Sequence, residues 1–554
     1  MYYDNCTYQR GEKTYRRELL RESHRINGKV VKRTVANISQ WPELVKQAIR
    51  GALSSGSSES TLAGLLEGST SSPVVQGKSV GAVAAVLSAA KHLGIVDALG
   101  DDRQGRLALF QVVARVIDQG SRLSAVRMAR SHAAAELIGL SGFDEDDLYE
   151  NLSWLSSRQQ TVEDALFNAR YPDGQAPPLF LYDVTSSYFE GEQNELAAFG
   201  YNRDGKKGKR QMVVGLLTDH EGCPVSIEVF PGNTSDTVTV PCQVEKLRNR
   251  FRGEELTLVG DRGMLKGPQQ TELSEIGMRY LTAITNAQIK TLLNQSAIQM
   301  ELFDQGIAEV AEQGTSVRYI LRRNPVQAAR MEARRADQLA SWMAAMEASN
   351  KYLKEHSKAA LETQIRNLTK RAKRLKLSGW LCIDVDGRTL SAQIDDEAKA
   401  EAAKLDGCYV LKTDLPQTAA SSDEVDARYH DLSKVEWAFR TSKTVHLEIR
   451  PIHLRKEERT RAHAFVVMLA YMIVRHLASL WSEFDMTVEE AVAQLGQLCY
   501  LEIALQDGLV LRELPQPRRE IAQLLKAADI HIPTVLPPSP PNVDTKTKLM
   551  DRRK

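Results

Sequence analysis

The sequence has no C-x-x-C pair: Cys6, Cys223, Cys242, Cys382, Cys408 and Cys499 are scattered singly along the chain. That spacing argues against a zinc site or a disulfide framework and fits a reducing cytoplasm. It also lacks an excess of either charge. Lys plus Arg (72) against Asp plus Glu (71) leaves a formal net charge of +1, so any basic surface must be local. Long apolar runs are missing as well. The most apolar one, Ala464 to Val474, is interrupted by Arg475 and His476 before it could span a bilayer. No secretory signal opens the chain, so the expectation is a cytoplasmic protein with no membrane partner. What is present, 42% apolar and 26% charged residues over 554 positions, has room for two to four ordinary globular domains.

The informative stretch is 179 to 286. Short runs rich in Val, Ile, Leu and Tyr predict strands at 179–189, 211–218, 224–230, 256–261 and 280–285. Asp219-His220-Glu221-Gly222 is a polar turn that makes the second and third strands a hairpin. Residues 235–252 and 265–276 are too long and polar for strands and suit helices. The order β-β-β-α-β-α-β predicts an α/β mixed sheet with helical crossovers. Asp183 interrupts the first strand and Asp261 closes the fourth. A buried, unpaired polar group costs of order 2–7 kcal/mol. One such Asp is read as a strand-end cap; two in one sheet point to carboxylates sharing a hard cation such as Mg²⁺.

Along the rest of the chain, residues 1–53 form a basic segment with a hairpin signal at Asn27-Gly28, and 54–75 a Ser/Gly-rich linker. Residues 76–170 read as helical, placed where a DNA-binding domain would stand. Between the first two strands, Arg203, Lys206, Lys207, Lys209 and Arg210 with two glycines make a cationic loop suited to phosphate. After the core's first part (179–286), an α+β insertion is expected over 287–404. It holds strands at 316–321 and 380–385 and a charged helical stretch from Pro325 to Lys376. Trp380 fits a buried strand position better than a base-stacking one. A strand at 405–413 returns to the core, whose second part runs to 480. A helical region (481–532) and a Pro- and Lys-rich tail (533–554) follow. His446, His453 and His463 have no standard zinc spacing and read as structural or phosphate-adjacent.

In Tyr429 to Lys443, the residues Val435, Ala438 and Phe439 make one apolar helix face. Tyr429, Glu436, Arg440 and Lys443 fall on a neighbouring stripe. Alone, Glu436 and Arg440 would be a surface ion pair worth a few tenths of a kcal/mol. Together with the two aspartates they resemble the insertion-sequence transposases of the Asp-Asp-Glu type, in the superfamily named after insertion sequence four. Tyr429, Glu436 and Lys443 fit the family signature Y-x2-R-x3-E-x6-K, with Leu432 where the signature has arginine. Asp261 and Gly263 match its D-x-[GA] motif, and the closest branch carries a long insertion.

That resemblance implies a ribonuclease-H-like catalytic core interrupted by the insertion. It also implies Asp183, Asp261 and Glu436 as a catalytic triad holding two Mg²⁺ ions, with Mn²⁺ as a substitute. Tyr429 and Lys443 would hold DNA phosphate, helped by Arg440 and Arg262. The partners implied are double-stranded DNA, at transposon ends and target, and a second copy of the chain on paired ends. The implied activity is cleavage at terminal inverted repeats and joining of the 3′-hydroxyl ends to target DNA. Two alternatives remain: a silent DNA-binding protein on the same scaffold, and a metal-dependent nuclease without strand transfer. Metal-dependent nicking separates the first alternative, and strand-transfer products the second.

Overall fold

The computed structural model describes residues 2–10, 13–26, 29–39, 46, 50, 53, 74–189, 193–201, 208–251, 256–443, 447, 449, 453–504 and 510–532. Asn27 and Gly28, residues 54–73 of the expected linker, Arg203, Lys206, Lys207, His446 and the 533–554 tail lie outside the described residues, whereas the last two linker positions, Val74 and Val75, belong to a strand. The chain divides into two compact units, Met1–Lys78 with Cys499–Gln516, and Ser79–Leu498 with Pro517–Lys554.

The first unit opens with β1 (Tyr2–Arg10), β2 (Lys13–Ile26) and β3 (Lys29–Asn37), an antiparallel three-stranded sheet. β2 and β3 pair antiparallel, with Ile26 opposite Lys29. The strand β1 adds to the expected hairpin, and Arg21 crosses to Asp4 at 2.8 Å. Next comes β4 (Val74–Ser79).

The second unit begins with six helices: α1 (Gly81–His92), α2 (Ile95–Leu99), α3 (Arg103–Ile117), α4 (Arg122–Ser131), α5 (Ala134–Ile138) and α6 (Glu145–Arg170). Asp102, Ser121 and Asp144 each accept a backbone N–H from the first turn of the helix they precede. The expected strands then appear as β5 (Leu179–Tyr188), β6 (Gln211–Asp219) and β7 (Pro224–Pro231). They are followed by α7 (Asp236–Asn249), β8 (Thr257–Gly260), α8 (Gly267–Glu275) and β9 (Arg279–Ala283).

Further on lie α9 (Asn286–Asn294), β10 (Ile307–Ala311), β11 (Arg318–Arg323), α10 (Pro325–Glu355) and α11 (Leu361–Arg374). The single helical stretch expected from Pro325 to Lys376 is thus two helices. β12 (Leu381–Asp386) and β13 (Thr389–Ile394) pair as a hairpin before α12 (Asp396–Ala403). Then come β14 (Cys408–Thr413), α13 (Ser422–His430), α14 (Leu432–Lys443), α15 (Glu457–Leu480) and α16 (Val488–Leu495). Finally β15 (Cys499–Ala504) and β16 (Val510–Glu513) form a sheet with β4 in the first unit, and α17 (Arg519–Ala527) ends the described chain.

One eight-stranded sheet organises the second unit, in the order β10-β11-β14-β9-β8-β5-β6-β7. β5, β6 and β7 form an antiparallel meander, whereas β5, β8 and β9 are parallel, with α7 leading from β7 into β8 and α8 from β8 into β9. This is the ribonuclease-H-like arrangement, with β14, β11 and β10 extending the far edge antiparallel. Even-numbered positions of β5 (Phe180, Tyr182, Val184) join Val240, Val244 and Leu247 of α7 and Leu273 of α8 in one core cluster. The opposite face, carrying Thr185 and Ser187, meets Phe439, Ser442 and Lys443 of α14 and Val467, Met468 and Tyr471 of α15. β6 is buried at every position, as a central strand covered on both faces must be. By length and composition α15 could cross a membrane, yet 72% of its most apolar window is buried within the protein, which makes it a core helix.

Candidate active site

The parallel pairing of β5 and β8 aligns Leu179 with Thr257 and runs to Tyr182 opposite Gly260. Asp183 and Asp261 each stand one residue further on, at neighbouring positions of strands that are about 5 Å apart. Alternation along β5 puts Asp183 on the face of Thr185 and Ser187, the face that α14 covers. Its Oδ1 accepts the Val184 N–H at 2.7 Å. Asp261 is exposed and opens a tight turn: its carbonyl accepts from Met264 N at 3.1 Å, and Gly263 supplies the φ of +88°. Met264 and Leu265 are buried in the core cluster, so the turn is pinned just past the acid. The Arg262 N–H donates to Asp261 Oδ1 at 2.6 Å.

The late helix arrives as its pattern predicts. Leu432, Val435, Ala438 and Phe439 are buried, while Glu436 and Arg440 are exposed. The expected stripe is interrupted in one respect: Tyr429 belongs to α13, and Asp431 separates it from α14. Tyr429 still reaches the site, donating its hydroxyl to Asp261 Oδ1 at 3.3 Å. Burial, then the Asp261 charge and, more weakly, the Glu436 carboxylate push the Tyr429 phenol up, with Arg262 opposing. Two acids of the proposed triad therefore flank one phenol. No ion pair forms between Glu436 and Arg440; the guanidinium lies 5.9 Å from the ring centroid of Trp437, itself 60% exposed. At the end of α14, Lys443 Nζ donates to Thr185 Oγ1 at 2.6 Å. Thr185 was not singled out from sequence, although it shares the strand parity of Asp183. Lys209 is exposed at the edge of the basic loop.

A buried polar group secures the chain just beyond α14. Arg115 of α3 donates to the Leu447 carbonyl at 3.4 Å. His463 of α15 donates through Nε2 to the Ile449 carbonyl at 3.1 Å, so its Nδ1 is the acceptor for Arg122 at 3.2 Å. Burial first and then the Arg115 charge push Arg122 down to about 9. Burial, with both guanidiniums adding to it, pushes His463 well down and keeps it neutral. His463 is thus a structural histidine. Trp380 is buried against the α10–α11 pair, as its sequence context suggested.

Among the described residues no three His, Cys, Asp or Glu side chains are gathered closely enough to hold a metal ion. Three carboxylates close on one point only against a counter-charge. Their chemistry, oxygen donors on two adjacent strands and a packed helix, fits a hard divalent cation.

The sequence matches the family model for the transposase DDE domain over residues 174–473, and that for the N-terminal domain of IS1634 family transposases over residues 5–63. No curated protein matches it. Among solved structures, a piggyBac transposase synaptic complex with hairpin DNA, seen by cryo-EM, is similar at 9% identity. That match covers 70% of this chain and 69% of the other, with a TM-score of 0.33, too loose a likeness to argue from. With more than half its length matched, and Asp183, Asp261 and the α14 helix inside the matched span, the chain belongs to the DDE transposase family.

Proposed function

We propose that this transposase binds the terminal inverted repeats of an insertion sequence, cuts the DNA ends by metal-dependent hydrolysis and joins them to target DNA. The observation that supports this reading most is the register of Asp183 beside Asp261, with α14 packed on the same strand. Asp183, Asp261 and Glu436 would hold two Mg²⁺ ions, with Mn²⁺ as a substitute. Cations bound there supply Lewis-acid activation of water and stabilisation of the leaving oxygen. Lys443, Tyr429, Arg440 and Arg262 orient phosphate oxygens around the scissile bond, and Arg203, Lys206, Lys207 and Lys209 contact the DNA backbone.

In the first step a water oxygen bonds to phosphorus and the P–O3′ bond breaks. The 3′-oxygen departs as a hydroxyl once protonated, leaving a 5′-phosphate on the flanking DNA. In the second step that 3′-hydroxyl attacks a target phosphodiester, again exchanging one P–O bond for another, so no nucleotide cofactor is consumed. The helical 76–170 region reads the repeat, two copies pair the two ends, and the protein works in the cytoplasm.

The test is purified protein with Mg²⁺ and a labelled duplex carrying the element's terminal repeat, run beside Asp183→Ala, Asp261→Ala and Glu436→Ala. Cleavage and joining lost in every variant is the expected result. Binding without cleavage by the wild type, in Mg²⁺ and Mn²⁺ alike, would replace this reading with the silent DNA-binding one. Cleavage without joined products would leave a nuclease.

A further inference from the structure

The helix α11 is chemically one-sided. Leu368 and Ala372 are buried, and Leu361, Ile365 and Leu375 pack beside them on a cluster that includes Trp342 and Met346 of α10. Trp342 Nε1 donates to the Leu368 carbonyl at 3.0 Å, which locks the helix rotation. The remaining surface holds Arg366, Lys370, Arg371, Lys373 and Arg374, with Lys376 just beyond: six cations and no acid in residues 366–376. All but Arg371 are exposed, and Arg371 donates to Ser341. Among the described residues none of the six is ion-paired, whereas the neighbouring α10 carries Lys351 beside Glu355 at i,i+4.

Two ordinary explanations fall short. Cations near a helix C-terminus complement its dipole, which accounts for Lys373 and Arg374 but not for Arg366 and Lys370 a turn or more earlier. A merely solvated face interleaves signs, while Arg366, Lys370 and Arg374 repeat one charge at i,i+4 and weaken the helix. Nor does the chain as a whole supply a basic bias, since its net charge is only +1.

We propose that this face of α11 binds the phosphate backbone of duplex DNA without reading its sequence. The inference rests on the DNA-acting function proposed above. Arg366, Lys370 and Lys373, at i, i+4 and i+7, lie along one line about 10 Å long. At one phosphate per roughly 3.4 Å of each strand, that line meets about three phosphates. Lysine and arginine carry only donors, on long stems, and so match the acceptor-only oxygens of phosphate.

The experiment uses the full-length protein without divalent metal, so that binding is measured apart from cleavage. Dissociation constants for a terminal-repeat duplex and a scrambled duplex are taken between about 50 and 200 mM salt. Arg366→Gln/Lys370→Gln/Lys373→Gln is compared with Lys351→Gln/Lys354→Gln/Lys358→Gln, an equal charge loss on and beyond α10. The α11 variant should lower the slope of log K against log salt by about 2 to 3, equally on both duplexes, while the control changes it by less than about 1. Lys370→Gln alone should lower it by about 1, which keeps the test valid if the triple variant fails to fold. An unchanged slope, or a loss confined to the repeat sequence, overturns the assignment. So does an equal loss in the control. Wild-type protein that binds no duplex overturns this inference together with the proposed function; normal cleavage with an unchanged α11 slope overturns this inference only.

Discussion

The strands β5 to β9 and the α10–α11 pair place their charges in opposite ways. Around β5, Tyr182 and Val184 are 0% and 5% exposed, and an acid sits between them. On α11 every charge but Arg371 is exposed, and the interior is Trp342, Leu368 and their neighbours. A charge at a sheet's interior edge opposes folding unless something else compensates, whereas a charge on an exposed helix face has little effect on stability. The difference teaches where to look for chemistry. Asp183 is informative because stability does not explain it; any one lysine of α11 is not, and only their grouping carries information.

The comparison breaks most sharply at the acids. Asp183→Asn, Asp261→Asn and Glu436→Gln should each reduce metal-dependent cleavage by at least about 100-fold. The urea unfolding free energy should not fall by more than about 0.5 kcal/mol, because a charge that opposes folding is removed without a change of shape. A variant that loses stability in step with activity would mark a structural acid. Next in size are the two interiors. Phe180→Ala and Trp342→Ala should each lower stability by about 3–5 kcal/mol in urea titrations. The second also leaves the Leu368 carbonyl without its indole donor.

A third prediction concerns pH. His463 is neutral in the folded protein, held well below its ordinary value near 6.5. The unfolded chain binds that proton more readily, so the contribution of His463 is fully present above about pH 6.5 and is lost as pH falls below it. Wild-type stability should fall by up to about 1.4 kcal/mol per pH unit on that account. His132 and His476, both half-buried, are also pushed down and add to the slope, so the contrast with His463→Gln isolates the one residue. An identical pH slope in that variant would remove His463 from the account. The smallest effect belongs to Trp437→Ala, on the open side of α14. With Trp437 60% exposed, the thermal midpoint should barely move, a change within about 0.5 kcal/mol.

Much of the catalytic core was legible in the chain itself. Alternation and turn residues placed β5, β6, β7, β8 and β9 within a few residues of their observed ends, because strand and turn preferences act over neighbouring residues. The apolar face of α14 was legible for the same reason. The break between α13 and α14 was not, since Asp431 carries no proline or glycine to announce it. Thr185 escaped notice because a lone threonine in a strand looks like any other.

By itself, then, the sequence determined the kinds and order of the elements from β5 to β9, the two acids on neighbouring strands and the amphipathic helix that follows, but not the 481–532 stretch, expected to be helical, which holds β15 and β16. Only the tertiary structure decided that β14 brings β11 and β10 onto the sheet, that Tyr429 bonds to Asp261 across 168 residues, and that Lys443 bonds to Thr185 across 258. Periodicity reports which side of an element is apolar. Which distant element covers that side depends on sheet order and on the packing of α15 beneath it, and both are properties of the whole chain.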